Sequence, residues 1–365
     1  MKNSLGTNVV TTIFGESHGA AVGGVIDGLA PGIPVDCDRI KKQLSLRRPA
    51  GAISTARVEE DEFEIVSGVF EGKTTGTPLC LLIPNRNVRS GDYEATKDLA
   101  RPGHADYTGF IKYHGFADYR GGGHFSGRVT AALVALGAIA QTALEGRGIK
   151  VGTHIARLSD VSDRGFSDYS ADLAALSDRP FPVLDENAGE RMRAAILSAK
   201  EDNDSVGGIL ETAVTGLPAG VGEPWFDTLE GVLSHGLFSI PGVKGVEFGD
   251  GFALAGMRGS EANDAFVPRD GGIATATNRN GGINGGISNG MPLLFRCAVK
   301  PTPSIAKTQS TVDIKTGAAA ELSLVGRHDP AIVHRARAVV DAVTALVLSD
   351  ALAGRYGVDW LGGIE

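Results

Sequence analysis

Glycine supplies 51 of the 365 residues, about twice its usual share, with neither the strict period of collagen nor the Ser/Gln bias of a disordered chain. In a chain that is 42% hydrophobic, this predicts many turns and several places where backbone lies close to a ligand. Short apolar runs bounded by Gly, Pro or Asp read as strands: "NVVTTIFG", "EIVSGVFEG", "PLCLLIPN", "GILETAVTGLP" and "MPLLFRCAVKP". Four segments carry helical spacing, residues 36–47, 126–145, 186–200 and 330–353. In the second, Val129, Leu133, Leu136, Ala140 and Leu144 recur on one face, Ser126 is placed to cap the start, and Gly146 and Gly148 stop it. Asp329 before Pro330 is the expected N-cap of the fourth. Strands and helices do not alternate strictly, so the pattern predicts an α+β fold with helices against antiparallel sheets, not a doubly wound parallel sheet.

No low-complexity linker divides the chain, which predicts one domain over residues 1–365, with the more polar stretch at about 150–205 as a surface excursion. A net charge of -8 without a basic run argues against nucleic acid, leaving small molecules or further copies of the chain as partners. The start lacks a continuous apolar signal segment, and no stretch reads as the ~18 apolar residues of a membrane span. The expectation is a cytoplasmic protein. Cys37, Cys80 and Cys297 are odd in number and far apart, and are expected as buried thiols, not as a disulfide framework or zinc site. No H-E-x-x-H or similar spacing calls for a metal.

The segments suited to chemistry are glycine loops holding histidine and arginine. In "DYRGGGHFSGR" the glycines run into a helix start, where backbone N–H groups favour an anion that Arg120 and Arg128 would flank. The alternative is a turn into a core helix with two surface arginines. Ser126 stands where a dinucleotide fingerprint needs its third glycine, and Ser67 where a P-loop needs its first, so neither motif is complete. "FGESHG" places Glu16, Ser17 and His18 in a loop after a strand, and "RPGHADYTG" places Arg101 and His104 around a Pro-Gly turn. Two such histidines beside an arginine-lined anion site suit general acid work on a leaving phosphate. Arg47 and Arg48 in "SLRRPAG" and Arg327 in "GRHDP" add two-point anion binders. The loop "NRNGGINGGISNG" either cradles a cofactor phosphate or turns a corner. His114, His154, His235 and His334 have no comparable setting and read as structural or surface residues.

Taken in order, "FGESHG", "DGLAPGIP", "RRP", "SGVFEGKTTGTP", "RPGHADYTG", "DYRGGGHFSGR", "GVKGVEFGDGF", "NGGINGGISNG", "KPTPSI" and "GRHDP" closely resemble the chorismate synthase family, nearly end to end. The resemblance implies a β-α-β sandwich, with helices between antiparallel sheets, assembled as a homotetramer. It implies 1,4-elimination of phosphate from 5-enolpyruvylshikimate 3-phosphate to give chorismate, in the shikimate pathway toward aromatic amino acids. Reduced FMN is required without net redox change, with NADPH as the reductant either directly or through a separate flavin reductase; the lack of a complete nucleotide fingerprint favours external reduction. By motif position the resemblance implies that His18 protonates the departing phosphate and His104 holds a proton at the reduced flavin. Asp329, with Ser17 and Ser126 as relays, would assist at flavin N5. Arg47, Arg48, Arg101 and Arg128 would bind substrate. His124, Phe125, Ser126, Gly285, Lys300, Pro301, Thr302, Pro303, Ser304 and Arg327 would line the flavin site.

The sequence departs from the family's pattern in places. Many members have Arg-Ser-Ser where this chain has His124-Phe125-Ser126. Many carry a further arginine just after the "RRPG" turn; here "RRPAGAIS" is one residue longer, and Arg57 is the available substitute. Pro241 and Gly242 stand where others have Asn and Ala. Two rivals remain distinct in kind. A flavin-free phosphatase would need a nucleophile or metal-activated water, for which no suitable cysteine or carboxylate cluster appears. A non-enzymatic flavin or anion binder would tolerate loss of both His18 and His104.

Overall fold

The computed structural model describes residues 2–49, 51–54, 60–86, 94, 96–269, 271–324 and 329–364. Two five-stranded antiparallel sheets enclose a layer of helices. In spatial order the first sheet runs Ser4–Leu5, Val10–Gly15, Ala21–Asp27, Leu79–Pro84, Glu64–Ser67. The second runs Val243–Phe248, Leu293–Val299, Gly208–Thr215, Lys150–Leu158, Val161–Ser162. Helix Thr130–Gly146 packs on strands Ala21–Asp27 and Leu79–Pro84, helix Val333–Tyr356 packs on Lys150–Leu158 and Gly208–Thr215, and the two helices pack on each other. This is the α+β sandwich expected, and the layers follow from side-chain period. Leu79, Leu81 and Ile83 are buried while Cys80, Leu82 and Pro84 are not, so one face of that strand turns to the helices.

Both central helices are buried on several sides, Leu136, Ile139 and Leu144 in one and Val340, Val343 and Leu348 in the other. Their close approach depends on Gly137, where a Cβ would lie 2.3 Å from Ala342 Cβ and 2.6 Å from its Cα. Contrary to expectation, the run Gly127–Gly146 is long and apolar enough by length and composition to cross a membrane. Its surface is instead covered by protein, as in the core helix of a folded domain.

The helix expected at 126–145 begins with a tight turn at Gly127–Val129, and the Ser126 hydroxyl accepts from the Arg128 N–H as its cap. Asp36 and Asp185 cap the helices Cys37–Leu46 and Glu186–Glu201. Asp329 does not cap the last helix, which starts at Val333 after Ile332; the carboxylate pairs with Arg335 instead. The stretch 150–205 is not wholly a surface excursion, because Lys150–Leu158 is an interior strand with His154, Ile155 and Leu158 buried. Nor are all three cysteines buried: Cys37 is exposed and Cys80 partly so, while Cys297 is enclosed and its thiol is pushed up to about 12 by burial.

Candidate active site

The three glycines of "DYRGGGHFSGR" form a left-handed turn rather than a helix start, with φ of 59°, 83° and 53° at Gly121, Gly122 and Gly123. Side-chain-bearing residues disfavour that run. Its purpose is visible in what lies against it. A Cβ on Gly121 would sit 2.4 Å from His18 Cε1 and 2.9 Å from Ser17 Oγ, and one on Gly122 would sit 3.2 Å from His104 Cε1. Two imidazoles from loops about ninety residues apart therefore rest on consecutive glycines, whose Cα atoms are ~3.8 Å apart. The Ser17 N–H donates to the Gly123 carbonyl at 3.0 Å, which fixes the His18 loop to the turn. Ser17 Oγ is buried without a hydrogen-bond partner among the described residues.

His104 is held from its other edge. Its Nδ1 lies 2.7 Å from Asp106 Oδ1, while Arg101 donates from Nη2 to Oδ1 and from Nε to Oδ2, both at 2.7 Å. Burial alone would push the Asp106 carboxyl up, but the bonds from Arg101 and His104 outweigh it and hold the group well below the usual carboxylate range. The segment Lys300–Ser304 reaches the same loop: Lys300 Nζ donates to the Gly103 carbonyl, and Pro303 Cβ lies 3.4 Å from where a Gly103 Cβ would be. Thr302 Oγ1 is buried without a partner among the described residues.

The arginines gather around one carboxylate that the sequence reading passed over. Asp61, fully enclosed, accepts from Arg47 Nη1 at 2.8 Å and from Arg128 Nη1, and Arg48 Nε lies 3.9 Å away. Arg128 also donates to Asn85 Oδ1 at 2.9 Å, and the Asn85 amide in turn donates to the Glu16 and Gly19 carbonyls of the His18 loop. Arg335 joins Asp329 to the cluster by donating to it and, at 2.7 Å, to the Arg47 carbonyl. Arg120 folds back on Asp118 at 2.8 Å, and that bond first, with His18's charge a lesser cause, holds the Asp118 carboxyl low.

Other expected site residues lie differently. His124 donates from Nδ1 to the Gly15 carbonyl at 2.8 Å. Phe125 packs on Gly109 of helix Asp106–Lys112 and on Tyr113, which follows it. Gly285 and Gly286 form the tip of the hairpin Ile283–Ser288, with Gly286 against Glu223 and Thr228, so this glycine loop turns a corner. Arg57 and Arg327 lie outside the described residues.

Sequence and fold comparisons identify the family to which this site belongs. A family model described as chorismate synthase matches residues 9–353. The chain belongs to the chorismate synthase family. It is 48% identical over 359 residues to the chorismate synthase of Dehalococcoides mccartyi, covering 98% of each chain. It is 49% identical over 354 residues to that of Thermococcus gammatolerans, covering 97% of this chain and 98% of the relative. A crystal structure of a chorismate synthase superposes with a TM-score of 0.75 at 28% identity, covering 96% of this chain and 93% of the other. The chain is accordingly a lyase of the shikimate pathway.

The residues fit an anionic cofactor on this family's site only in part. Lys300 offers a cation and Thr302 Oγ1 a hydroxyl with no partner among the described residues. His124 and Phe125 are committed elsewhere, leaving their backbone rather than their side chains for contact. No group of three or more His, Cys, Asp or Glu side chains suited to a metal occurs among the described residues.

Proposed function

We propose that the histidines seated on Gly121 and Gly122 carry out the elimination of phosphate from 5-enolpyruvylshikimate 3-phosphate, with reduced FMN bound beside Lys300–Ser304. The observation that carries this reading is the placement of two proton carriers against adjacent glycines, within reach of one small substrate. Reduced FMN held beside Lys300–Ser304 would supply electron density transiently and recover it, without net redox change. His18 donates a proton to the departing phosphate oxygen. His104 holds a proton at the flavin. Ser17, whose hydroxyl lies beside His18 and has no hydrogen-bond partner among the described residues, serves as a relay; Ser126, which accepts from Arg128 N–H and keeps its own O–H to donate, is a second relay, and Asp329, paired with Arg335, assists at flavin N5. The buried Arg47 and Arg128, with Arg48 and Arg101, supply positive potential, and Lys300 with Pro301, Thr302, Pro303 and Ser304 line the flavin side.

The rest of the proposal concerns the setting. The chain acts as one domain, in the cytoplasm, with its flavin reduced by NADPH through a separate reductase. It assembles as a homotetramer, a reading supported by the exposed Trp225, Phe226, Phe252 and Phe266, at 85%, 96%, 85% and 72%. A single-chain mass by light scattering would refute the assembly. The reaction is tested anaerobically with FMN oxidised or chemically reduced. Equal release of phosphate and chorismate only with reduced FMN is the expected result; phosphate without chorismate, or turnover indifferent to flavin, would overturn it. His18→Ala and His104→Ala each lower turnover by at least about tenfold in a chain that remains folded.

A further inference from the structure

We propose that Asp106 is a positioning residue that keeps a proton on Nδ1 of His104 and so makes Nε2 the atom through which His104 exchanges protons. The geometry leaves little freedom. Asp106 accepts four hydrogen bonds: on Oδ1 from Arg101 Nη2 and His104 Nδ1, both at 2.7 Å, and on Oδ2 from Arg101 Nε at 2.7 Å and the Arg101 backbone N–H at 3.0 Å. With two guanidinium bonds the carboxylate stays ionised, and an ionised oxygen can only accept.

Arg101 Nη2 also lies 3.1 Å from His104 Nδ1, and it competes for that nitrogen. If Nδ1 carried no proton it could accept from Arg101, but its lone pair would then face the Asp106 oxygen at 2.7 Å, which is repulsive. With the proton on Nδ1, the shorter contact becomes a charge-assisted bond and Arg101 keeps both of its bonds to Asp106. The proton therefore sits on Nδ1 whether the ring is neutral or charged. Nε2 alone titrates.

The ring's free edge matches that assignment. A Cβ on Gly122 would lie 3.2 Å from Cε1 and 3.3 Å from Nε2, so the glycine turn is what gives the Nε2 edge its opening. Among the described residues, the charged and titratable groups around His104 are Arg101 and Asp106 on its own loop and its adjoining helix, Lys300 on the Gly103 carbonyl, and His18 on the neighbouring Gly121.

The effect on turnover rests on reading His104 as a proton carrier; the tautomer does not. The test is long-range 1H–15N correlation of the full chain labelled with 15N-histidine, with His104→Ala to identify the signal. The expected spectrum of the neutral ring has a protonated Nδ1 and a bare Nε2. In Asp106→Asn, Arg101 and the new amide both become donors to Nδ1, so the proton moves to Nε2, turnover falls at least about tenfold and the limb of the pH profile governed by His104 shifts downward. Asp106→Glu, which keeps a carboxylate, retains the native tautomer. A bare Nδ1 in the unsubstituted chain overturns the proposal without any variant, and so does an unchanged tautomer in Asp106→Asn. If the tautomer switches as stated but His104→Ala leaves turnover intact, the proton-carrier reading fails and the positioning role stands.

Discussion

Gly121→Ala separates the role of the glycine turn from mere tolerance of it. The new Cβ would lie 2.4 Å from His18 Cε1 and 2.5 Å from Nδ1, where ordinary contact begins at 3.4 Å, so the ring must retreat by the difference of 3.4 − 2.4, about 1 Å. A 1 Å displacement of a group acting at the reaction centre costs about 10²-fold in rate. The left-handed backbone, φ 59°, adds a stability cost for alanine of about 1–2 kcal/mol. Gly148→Ala provides the control: its φ is 78° and no atom lies within 4 Å of its Cβ position, so it carries a comparable backbone cost with no histidine to displace. Turnover with chemically reduced FMN is measured for both variants beside urea unfolding curves. The expected outcome is that both lose similar stability and only Gly121→Ala loses about 10²-fold in kcat. Undiminished kcat in Gly121→Ala would refute the argument, and an equal loss in Gly148→Ala would reduce it to a folding effect.

Two further outcomes concern the helix layer. Burial, assisted by the charge of Arg335, holds the His334 imidazole down to about 3 from 6.5, with Nε2 bonded to Ser54 Oγ at 3.0 Å. The unfolded chain takes up this proton near pH 6.5 and the folded one only near 3, so the stability it confers is present above 6.5 and is lost as pH falls through that window. The slope is about 1.4 kcal/mol per pH unit, to a total of about 5 kcal/mol, and His334→Gln should flatten the urea midpoint between pH 6.5 and 5 relative to the unsubstituted chain; parallel curves would count against it. At Gly137, alanine would gain helix propensity of about 1 kcal/mol but must push back the Ala342 Cα, so a net loss of about 1–3 kcal/mol is expected, and a higher unfolding midpoint would refute the claim that the helices touch there.

The elements with strong periodicity were readable from the sequence, and the failures have physical causes. The strand Ala21–Asp27 was missed because "AVGGVID" carries two adjacent glycines that usually interrupt strands. They are there for packing: a Cβ on Gly24 would lie 2.7 Å from Leu136 of the core helix, and one on Gly23 equally close to the Phe14 ring. Helix Asp106–Lys112 spans only seven residues, too few for a 3.6-residue period to stand out. Within the site, histidines and arginines could be picked out because few residue types carry protons or bind anions. Their partners could not. Asp61 sits in the acidic run "EEDEFE", where nothing marks one carboxylate as the enclosed one, whereas Asp106, two residues after His104, was within the motif but had no visible role until both side chains were placed.

Those carboxylates change how the site must handle negative charge. Arg47, Arg48 and Arg128 share Asp61, Arg101 and His104 share Asp106, Arg120 is matched by Asp118, and Arg335 by Asp329. A row of bare arginines in a buried cleft would be costly without ligand; paired in this way they stay folded and ionised between turnovers. The pairing is uneven, however. Of the three guanidinium groups around Asp61, Arg48, at 3.9 Å and a third exposed, is the least tightly held. Lys300 donates to a backbone carbonyl and forms no ion pair among the described residues. Lys300 is tied to the His104 loop through the Gly103 carbonyl, and the Asp61 cluster is tied to the His18 loop through Arg128 and Asn85, so each histidine loop has its own cationic neighbour even though the two rings rest on adjacent glycines.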